Sequence, residues 1–204
     1  MKRVFLLLAA ALPLAAQTDV SAGLGTSAAG SSGYAGMSAG MFGRVEHAVG
    51  KLTFRSLGGL SNAHKAYVGS GWQWMTAGTA DFNFSPHFSA IAGVSAVQQR
   101  NIQYHKAAMN FGGGARLRGT TRAGSGNVFI FATAPDVLSY NKVREVTAGL
   151  EMTIRQLIGR TGLHFEVGVS RTTFYQPGQG WISGFSTIMR VGPSWRVRNA
   201  QGER

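Results

Sequence analysis

The fold is decided by one stretch, LHFEVGVS at residues 163–170, in which apolar residues occupy every second position. Histidine, glutamate, glycine and serine fill the positions between them. Successive side chains of a β-strand point to opposite faces, so this period of two predicts a strand with one apolar and one polar face. Residues 146–154 alternate in the same way, and residues 158–162 between the two segments contain two glycines. The two segments are therefore predicted to form a β-hairpin.

The same alternation recurs along the whole chain, with residues typical of turns between the alternating segments. It predicts about ten strands, near residues 18–27, 33–45, 50–57, 66–84, 87–99, 103–118, 127–138, 143–157, 163–175 and 181–198. A turn signal at residues 57–64 ends the third of them. Eight strands is the main rival count. Both counts agree with the even number of strands expected for a bacterial barrel. Residues 17–33 are rich in glycine, serine and alanine, so a flexible arm is the alternative to a first strand there.

The composition excludes several classes of protein. No cysteine occurs among the 204 residues, which excludes disulfides and thiolate metal ligands. Glycine is abundant, at 29 residues, and a chain this rich in glycine is a poor helix former. The formal charge of +12 invites a nucleic-acid partner. The 20 lysines and arginines are scattered singly, however, so we expect no nucleic acid and favour outer-membrane lipids and lipopolysaccharide as the counter-charge.

Residues 1–16 have the pattern of a secretory signal peptide. Lys2 and Arg3 precede an apolar run, which ends in the small residues Ala15 and Ala16 before Gln17. The run is too short for a membrane-spanning helix, which needs about 20 residues. We therefore expect export, cleavage after Ala16 and one domain over residues 17–204. An uncleaved N-terminal anchor is the alternative.

Three features favour an apolar face that meets lipid rather than a soluble core. The polar face is largely glycine and serine with arginine and glutamate between, which suits the crowded lumen of a small barrel. Several predicted strands exceed the ~5–6 residues usual in soluble proteins. Aromatic residues fall near predicted strand ends, where membrane interfaces are expected. These interfacial candidates are Phe82, Phe84, Phe88, Phe174, Tyr175 and Trp181. The sequence thus predicts an all-β, closed, antiparallel up-and-down transmembrane barrel.

The last alternating segment carries the most specific motif, RVGPSWRV at residues 190–197. Arg190, Gly192, Trp195 and Val197 resemble the terminal-strand signal that the barrel-insertion machinery reads. Val197 stands where an aromatic residue is usual, and Pro193 is expected to interrupt the strand. The pattern of strands and turns after residue 16, together with this terminal motif, resembles the small outer-membrane barrels of the OmpA/OmpX-like class. The resemblance implies a place in the outer membrane of a Gram-negative cell and assembly by that machinery. We expect a monomer.

Five charged residues lie on the face that the alternation assigns to the lumen: Glu151, Arg155, Glu166, Arg190 and Arg196. They come from three consecutive predicted strands. An unpaired charge inside a narrow barrel is costly, so we expect these residues to pair in a structural network that fills the lumen. The alternative is a narrow water path that prefers anions.

Catalytic and metal-binding patterns are sparse in the sequence. The five histidines have none of the close spacings that place two of them on one metal ion. His87 and Ser89 share a face, as a deacylase-like pair would, but no acid is placed to orient the histidine. We therefore expect no catalysis, no cofactor and no metal.

Three functions remain open on the sequence. The leading hypothesis is an integral outer-membrane barrel with a structural or surface-interaction role and a lumen filled by charges. The second is a narrow anion-preferring channel. The third is a soluble secreted β-barrel that turns its apolar face inward and binds an apolar ligand. The direction of the apolar face separates the third hypothesis from the other two.

Overall fold

The structure is a computed structural model that describes residues 17–31, 34–65, 71–100, 105–133, 143–158, 161–176 and 180–197. The predicted signal peptide at residues 1–16 lies outside the described residues and stays a prediction. No helix in the described ranges is long and apolar enough to cross a membrane.

Ten strands form one closed barrel in which each strand is antiparallel to its sequence neighbours. The barrel closes where the first strand pairs with the last, from Thr18 opposite Val197 to Ser31 opposite Gly184. The predicted all-β, closed, up-and-down architecture is confirmed, at the upper end of the eight to ten strands expected. The strands are β1 (Gln17–Ser31), β2 (Tyr34–Val49), β3 (Leu52–Lys65), β4 (Gly71–Asn83), β5 (Phe88–Arg100), β6 (His105–Thr120), β7 (Gly124–Thr133), β8 (Val143–Ile158), β9 (Thr161–Gln176) and β10 (Gly180–Val197).

Three local expectations are corrected by the strand ladders. Gln17–Ser31 is a full strand with partners on both sides, so the flexible-arm alternative does not describe it. The predicted turn at residues 57–64 is wrong, because β3 runs through it and pairs with β2 and β4 along its length. Pro193 interrupts the pairing of β10 with β1 but does not end the strand, which continues to Val197.

The barrel has two ends, which we name the terminal end and the loop end. At the terminal end lie the start of β1, the finish of β10 and three short described connections: Gly50 with Lys51, residues 84–87 and residues 121–123. Gly50 has a φ of 56°, a left-handed conformation that suits a tight turn and favours glycine. The segments that join strands at the loop end, of which residues 134–142 are the longest, lie outside the described residues.

The polarity of the barrel wall is the reverse of that of a soluble protein. Among the described residues, the buried hydrophobic side chains are Phe42 and Ile91. Large apolar side chains on the outer face are exposed instead, for example Leu24 at 66%, Met41 at 65% and Phe185 at 66%. The buried polar and charged residues are Ser21, His47, Thr53, Arg55, Asp81, Ser89, Asn110, Arg116, Glu151, His164, Glu166, Ser170, Arg190 and Ser194. This arrangement contradicts the third hypothesis, a soluble barrel with an apolar interior.

Candidate functional site

The main polar feature of the lumen is a closed ring of alternating charges, which we call the ionic ring. Arg44 on β2 reaches across the lumen to Glu151 on β8, although these strands are not neighbours in the wall. Alternate residues of several strands therefore converge at one level of the barrel. In order around the ring, the members are Arg44, Glu151, Arg116, Asp81, Arg55 and Glu46.

Asp81 anchors one side of the ionic ring. Its side chain is fully buried, and Oδ2 accepts a hydrogen bond from Arg118 Nη2 at 2.8 Å. The same oxygen lies 2.9 Å from Arg116 Nε and also accepts a hydrogen bond from Arg55. One carboxylate thus serves three guanidinium groups. Arg118 is not a member of the ring but is attached to it through Asp81.

Glu151 anchors the opposite side. Its Oε2 accepts hydrogen bonds from Arg44 Nη2 at 2.9 Å, Arg116 Nη1 at 2.9 Å and Asn127 Nδ2 at 3.0 Å. Glu46 completes the ring by accepting from Arg44 Nη2 at 2.8 Å and from Arg55 Nε at 2.9 Å. Since buried charges are tolerated only when they are paired and hydrogen-bonded, the ring is a self-consistent way to fill the lumen.

His164 lies beside the ring and is fully buried. Its Nδ1 is 3.1 Å from Thr153 Oγ1 and 3.2 Å from Arg44 Nη1. The Phe42 ring packs on the other side, with the ring centroids 6.2 Å apart. His164 therefore links the charged level of the lumen to an apolar side chain.

Aromatic packing supports the ring from β7. The Arg116 guanidinium carbon lies 5.0 Å from the centroid of the Phe129 ring, which is within cation–π range. Phe129 is the register partner of Gly149, and a Cβ added to Gly149 would lie 2.6 Å from the Phe129 Cζ atom. The glycine on the lumen face therefore makes room for the aromatic ring that holds Arg116.

The five charged residues predicted to form a network do not form one group. Glu151 belongs to the ionic ring, and Glu166 forms a separate buried pair with Arg190 at 2.7 Å. Arg196 pairs at 2.9 Å with Asp19, where both side chains are about one-third exposed. Arg155 donates to the Thr121 carbonyl at 3.4 Å near the terminal end. Among the five, the structure thus brings only Glu166 and Arg190 into contact.

Arg44, Glu46 and Asp81 were not singled out from the sequence as network members. A signal for the first two exists, because the alternation that puts Ser38 and Gly40 on the polar face continues to them. Phe42 interrupts it, since this apolar residue points inward. Asp81 falls on the predicted polar face of its strand, but no single strand shows that it meets arginines from β3 and β6.

Two adjoining cavities lie between the ionic ring and the terminal end, and together we call them the vestibule. The inner cavity has a volume of about 280 Å³ and is lined by Arg44, Glu46, Arg55 and Arg118, among others. The outer cavity, of about 680 Å³, extends to Arg122 and Arg196. The residues that line both are Asp19, Ser125, Thr153, Arg155 and Ser194.

The predicted interfacial aromatics are partly described. Phe82, Phe84 and Phe88 form an exposed cluster at the terminal end, with ring centroids 5.0 Å and 5.9 Å apart in sequence order. The side chains of Phe174, Tyr175 and Trp181 lie outside the described part of the chain. Their backbones pair near the loop end, with Trp181 opposite Tyr175.

The residues of the predicted insertion signal divide between the two faces of β10. Arg190 and Gly192 are buried, whereas Trp195 and Val197 are exposed at 41% and 49%. The segment forms the strand that closes the barrel against β1.

His87 and Ser89, which the sequence analysis considered and set aside as a deacylase-like pair, lie in different surroundings in the structure. His87 is exposed in a turn, with Nδ1 3.1 Å from the Arg118 carbonyl oxygen, whereas Ser89 is fully buried. The described residues contain no group of three His, Asp or Glu side chains that could hold a metal ion.

No protein-family model matches the chain, and no curated protein matches its sequence. Among solved structures, it is similar to the translocator domain of the autotransporter NalP from Neisseria meningitidis, with 12% identity and a TM-score of 0.44 over 95% of this chain and 93% of that one. It is also similar to the KdgM porin in complex with disordered oligogalacturonate, with 9% identity and a TM-score of 0.36 over 90% and 99%. A third is the beta domain of the Bordetella autotransporter BrkA, with 12% identity and a TM-score of 0.35 over 86% and 98%. Function must therefore be argued from the barrel itself.

Proposed function

We propose that this protein is an integral outer-membrane β-barrel with a structural or surface-interaction role, whose lumen is closed by the ionic ring. The observation that carries the proposal is the inverted wall, with charged residues buried inside and large apolar side chains exposed outside. In water, so large an exposed apolar surface would promote association. In a bilayer, the same surface meets hydrocarbon, and a closed barrel leaves no unpaired strand edge.

The dimensions of the barrel support this placement. Its strands are 10 to 18 residues long, and a tilted strand needs about 9–11 residues to cross the hydrocarbon layer. The cluster of Phe82, Phe84 and Phe88 at the terminal end has the position and exposure of an interfacial girdle. Outer-membrane lipids and lipopolysaccharide are the partners that this surface fits.

The ionic ring supports a structural role rather than free passage of solutes. Its ion pairs span the lumen from β2 to β8, and a solute could pass that level only by separating them. Separating a buried pair exposes uncompensated charge, which costs about 3–5 kcal/mol. The terminal-strand residues Arg190, Gly192, Trp195 and Val197 are the proposed contact for the insertion machinery, and we propose a monomer.

The proposal is tested by comparing unboiled with boiled protein from isolated outer membranes on a semi-native gel. We expect the protein in the outer-membrane fraction and a heat-dependent change in mobility, because a folded barrel resists detergent until it is heated. Protein in the periplasmic fraction with no mobility change would refute the proposal. Purified protein in planar bilayers should then show little or no conductance.

A narrow anion-preferring channel is the second candidate, and the surplus of arginine near the ring favours it. Asp81 alone serves Arg55, Arg116 and Arg118, so the carboxylates of the cluster are outnumbered. Steady conductance with a reversal potential that indicates anion preference would select the channel over the closed barrel.

A further inference from the structure

Two arginines of the vestibule, Arg122 and Arg155, take part in none of the described ion pairs, and Arg155 is the one that lies deeper in it. No described carboxylate lies within ion-pair distance of Arg155, and its side chain makes a single described hydrogen bond, the long one to the Thr121 carbonyl. Yet Arg155 lines both cavities and so sits at the junction between them. Its guanidinium group is therefore available to a ligand in the vestibule.

A backbone irregularity places Arg155 there. The β8–β9 register shifts between Ile154, which pairs with Leu163, and Ile158, which pairs with Thr161. Within this bulge, Gln156 has a φ of 53°, a left-handed conformation that residues other than glycine rarely adopt. The Arg155 amide donates to the Ala123 carbonyl at 2.8 Å, which ties the bulge to the neighbouring connection. Bulges often re-aim a side chain toward a site.

The vestibule carries an excess of positive charge. At and beside the ionic ring, the guanidinium groups are Arg44, Arg55, Arg116, Arg118 and Arg155, and the carboxylates are Glu46, Asp81 and Glu151. Five positive charges against three negative leave two in excess, and Arg122 at the outer cavity adds a third. The Asp19–Arg196 pair at the outer cavity adds none. A small anion in this space would offset a real imbalance.

We propose that the vestibule binds a small oxyanion of the phosphate class, with Arg155 as its main contact. The inference rests on the proposed function, because it requires the folded barrel. Arginine matches tetrahedral oxyanions with two parallel N–H donors, and the hydroxyl-bearing residues Ser125 and Ser194 line the same space. A single water needs only about 15 Å³ of such space, so the inner cavity of about 280 Å³ has room for the ion and its remaining waters.

Phosphate chemistry could come from a free ion or from a lipid head group. The vestibule lies inside the strand wall and is lined by residues of the terminal end. A free ion enters from that end without leaving water, whereas a head group would have to leave the bilayer surface. We therefore assign the site to the free ion.

The test is calorimetric titration of inorganic phosphate into the refolded full-length chain in a non-ionic, phosphate-free detergent at low ionic strength. Low salt is needed because exposed charges are screened beyond about 10 Å at 0.1 M. Arg155→Gln should weaken binding about tenfold or more, since a hydrogen bond to a charged group is lost. Arg171→Gln is the matched control, because Arg171 is exposed on the outer face over the Phe185 ring. It should bind phosphate as the unchanged protein does.

Each arm of the experiment has a decisive outcome. Absence of saturable binding to a barrel that still shows the heat-dependent mobility change would overturn the inference and leave the proposed function intact. Equal loss in Arg155→Gln and Arg171→Gln would show attraction to net charge only and would also overturn it. Displacement of phosphate by micelles doped with phosphatidylglycerol would overturn the assignment to a free ion. If the unchanged chain shows no mobility change, the proposed function itself fails.

Discussion

At the scale of single residues, Asp81 is the point on which the ionic cluster depends, because one buried carboxylate forms ion pairs with three arginines. Asp81→Asn would keep the volume but leave Arg55, Arg116 and Arg118 facing one another. We expect the free energy of unfolding to fall by about 3–5 kcal/mol, the usual result of removing one partner of a buried pair. The measurement is the urea midpoint of the loss of the heat-sensitive gel form in detergent.

The matched control at this scale is Asp19→Asn. Asp19 pairs with Arg196 at 2.9 Å, but both side chains are about one-third exposed at the terminal end. Such a pair contributes about 0–1 kcal/mol. A midpoint for Asp81→Asn no lower than that of Asp19→Asn would contradict the central role of Asp81.

The Glu166–Arg190 pair gives a second residue-scale prediction, on a site separate from the ring. Glu166→Gln or Arg190→Gln alone should lower the free energy of unfolding by about 3 kcal/mol, because each leaves an uncompensated buried charge. The double variant should lose less than the sum of the two single losses, since it removes both charges. Additive losses in urea unfolding would show that the two side chains act independently.

These residues also show what a single sequence reveals about a lumen. The lumen face of Glu151, Glu166 and Arg190 could be read from clean alternation in their strands. Their partners could not, because Arg44 and Glu151 lie 107 positions apart and meet only after the barrel closes. Local periodicity gives the face on which a residue lies, whereas pairing across the lumen depends on the strand number and register.

At the scale of elements, the seam between β1 and β10 combines a gap in the strand register with a close backbone approach. No register pair joins the strands between Ser21 opposite Ser194 and Leu24 opposite Val191, where Pro193 lacks an amide donor. A Cβ added to Gly192 would lie 2.6 Å from the Gly23 Cα atom, so the backbones leave no room for a side chain.

Gly192→Ala should therefore hinder closure of the seam. We expect a destabilisation of about 1–3 kcal/mol from overpacking, seen as a smaller fraction of heat-modifiable protein after refolding. Gly58→Ala is the control, because a Cβ at Gly58 would meet nothing within 4 Å. Equal refolding of the two variants would rule out the seam as a constraint.

The predicted turn at residues 57–64 and the predicted break at Pro193 were overridden for one physical reason. Gly58 and Gly59 favour turns locally, yet both lie in β3, where Gly58 pairs with Gly43 and Thr76. Pro193 opposes strand formation locally, yet pairing with β9 keeps β10 in register there, with Leu163 opposite Pro193. Ladder pairing, on both sides at Gly58 and with β9 alone at Pro193, overrode residue preference in both places, which a propensity argument cannot anticipate.

At the scale of the whole molecule, the inverted polarity of the wall follows from the alternation of apolar with polar or small residues in strand after strand. Every strand offers an apolar face and a polar or small one, and closure decides which of them becomes the inside. Charged residues converge on the lumen because there they can pair, as Arg44 does with Glu151 across it. The alternation predicted the two faces of each strand. The height in the barrel at which the charged side chains meet is set by the register between strands, which the sequence alone did not reveal.

The outer face yields the whole-molecule prediction. Leu150, near the middle of β8, is 41% exposed on the outside of the barrel. Leu150→Arg would place a charge in the hydrocarbon layer, which costs about 2–4 kcal/mol at mid-bilayer. We expect insertion into lipid vesicles to fail or slow markedly.

Ile158→Arg is the control, because Ile158 lies at the terminal end of the same strand, where a charge costs about 0–1 kcal/mol. If the two variants insert equally well, the apolar face does not meet lipid and the membrane placement is wrong. If only Leu150→Arg fails, the cost depends on depth, as it must for a wall that crosses a bilayer.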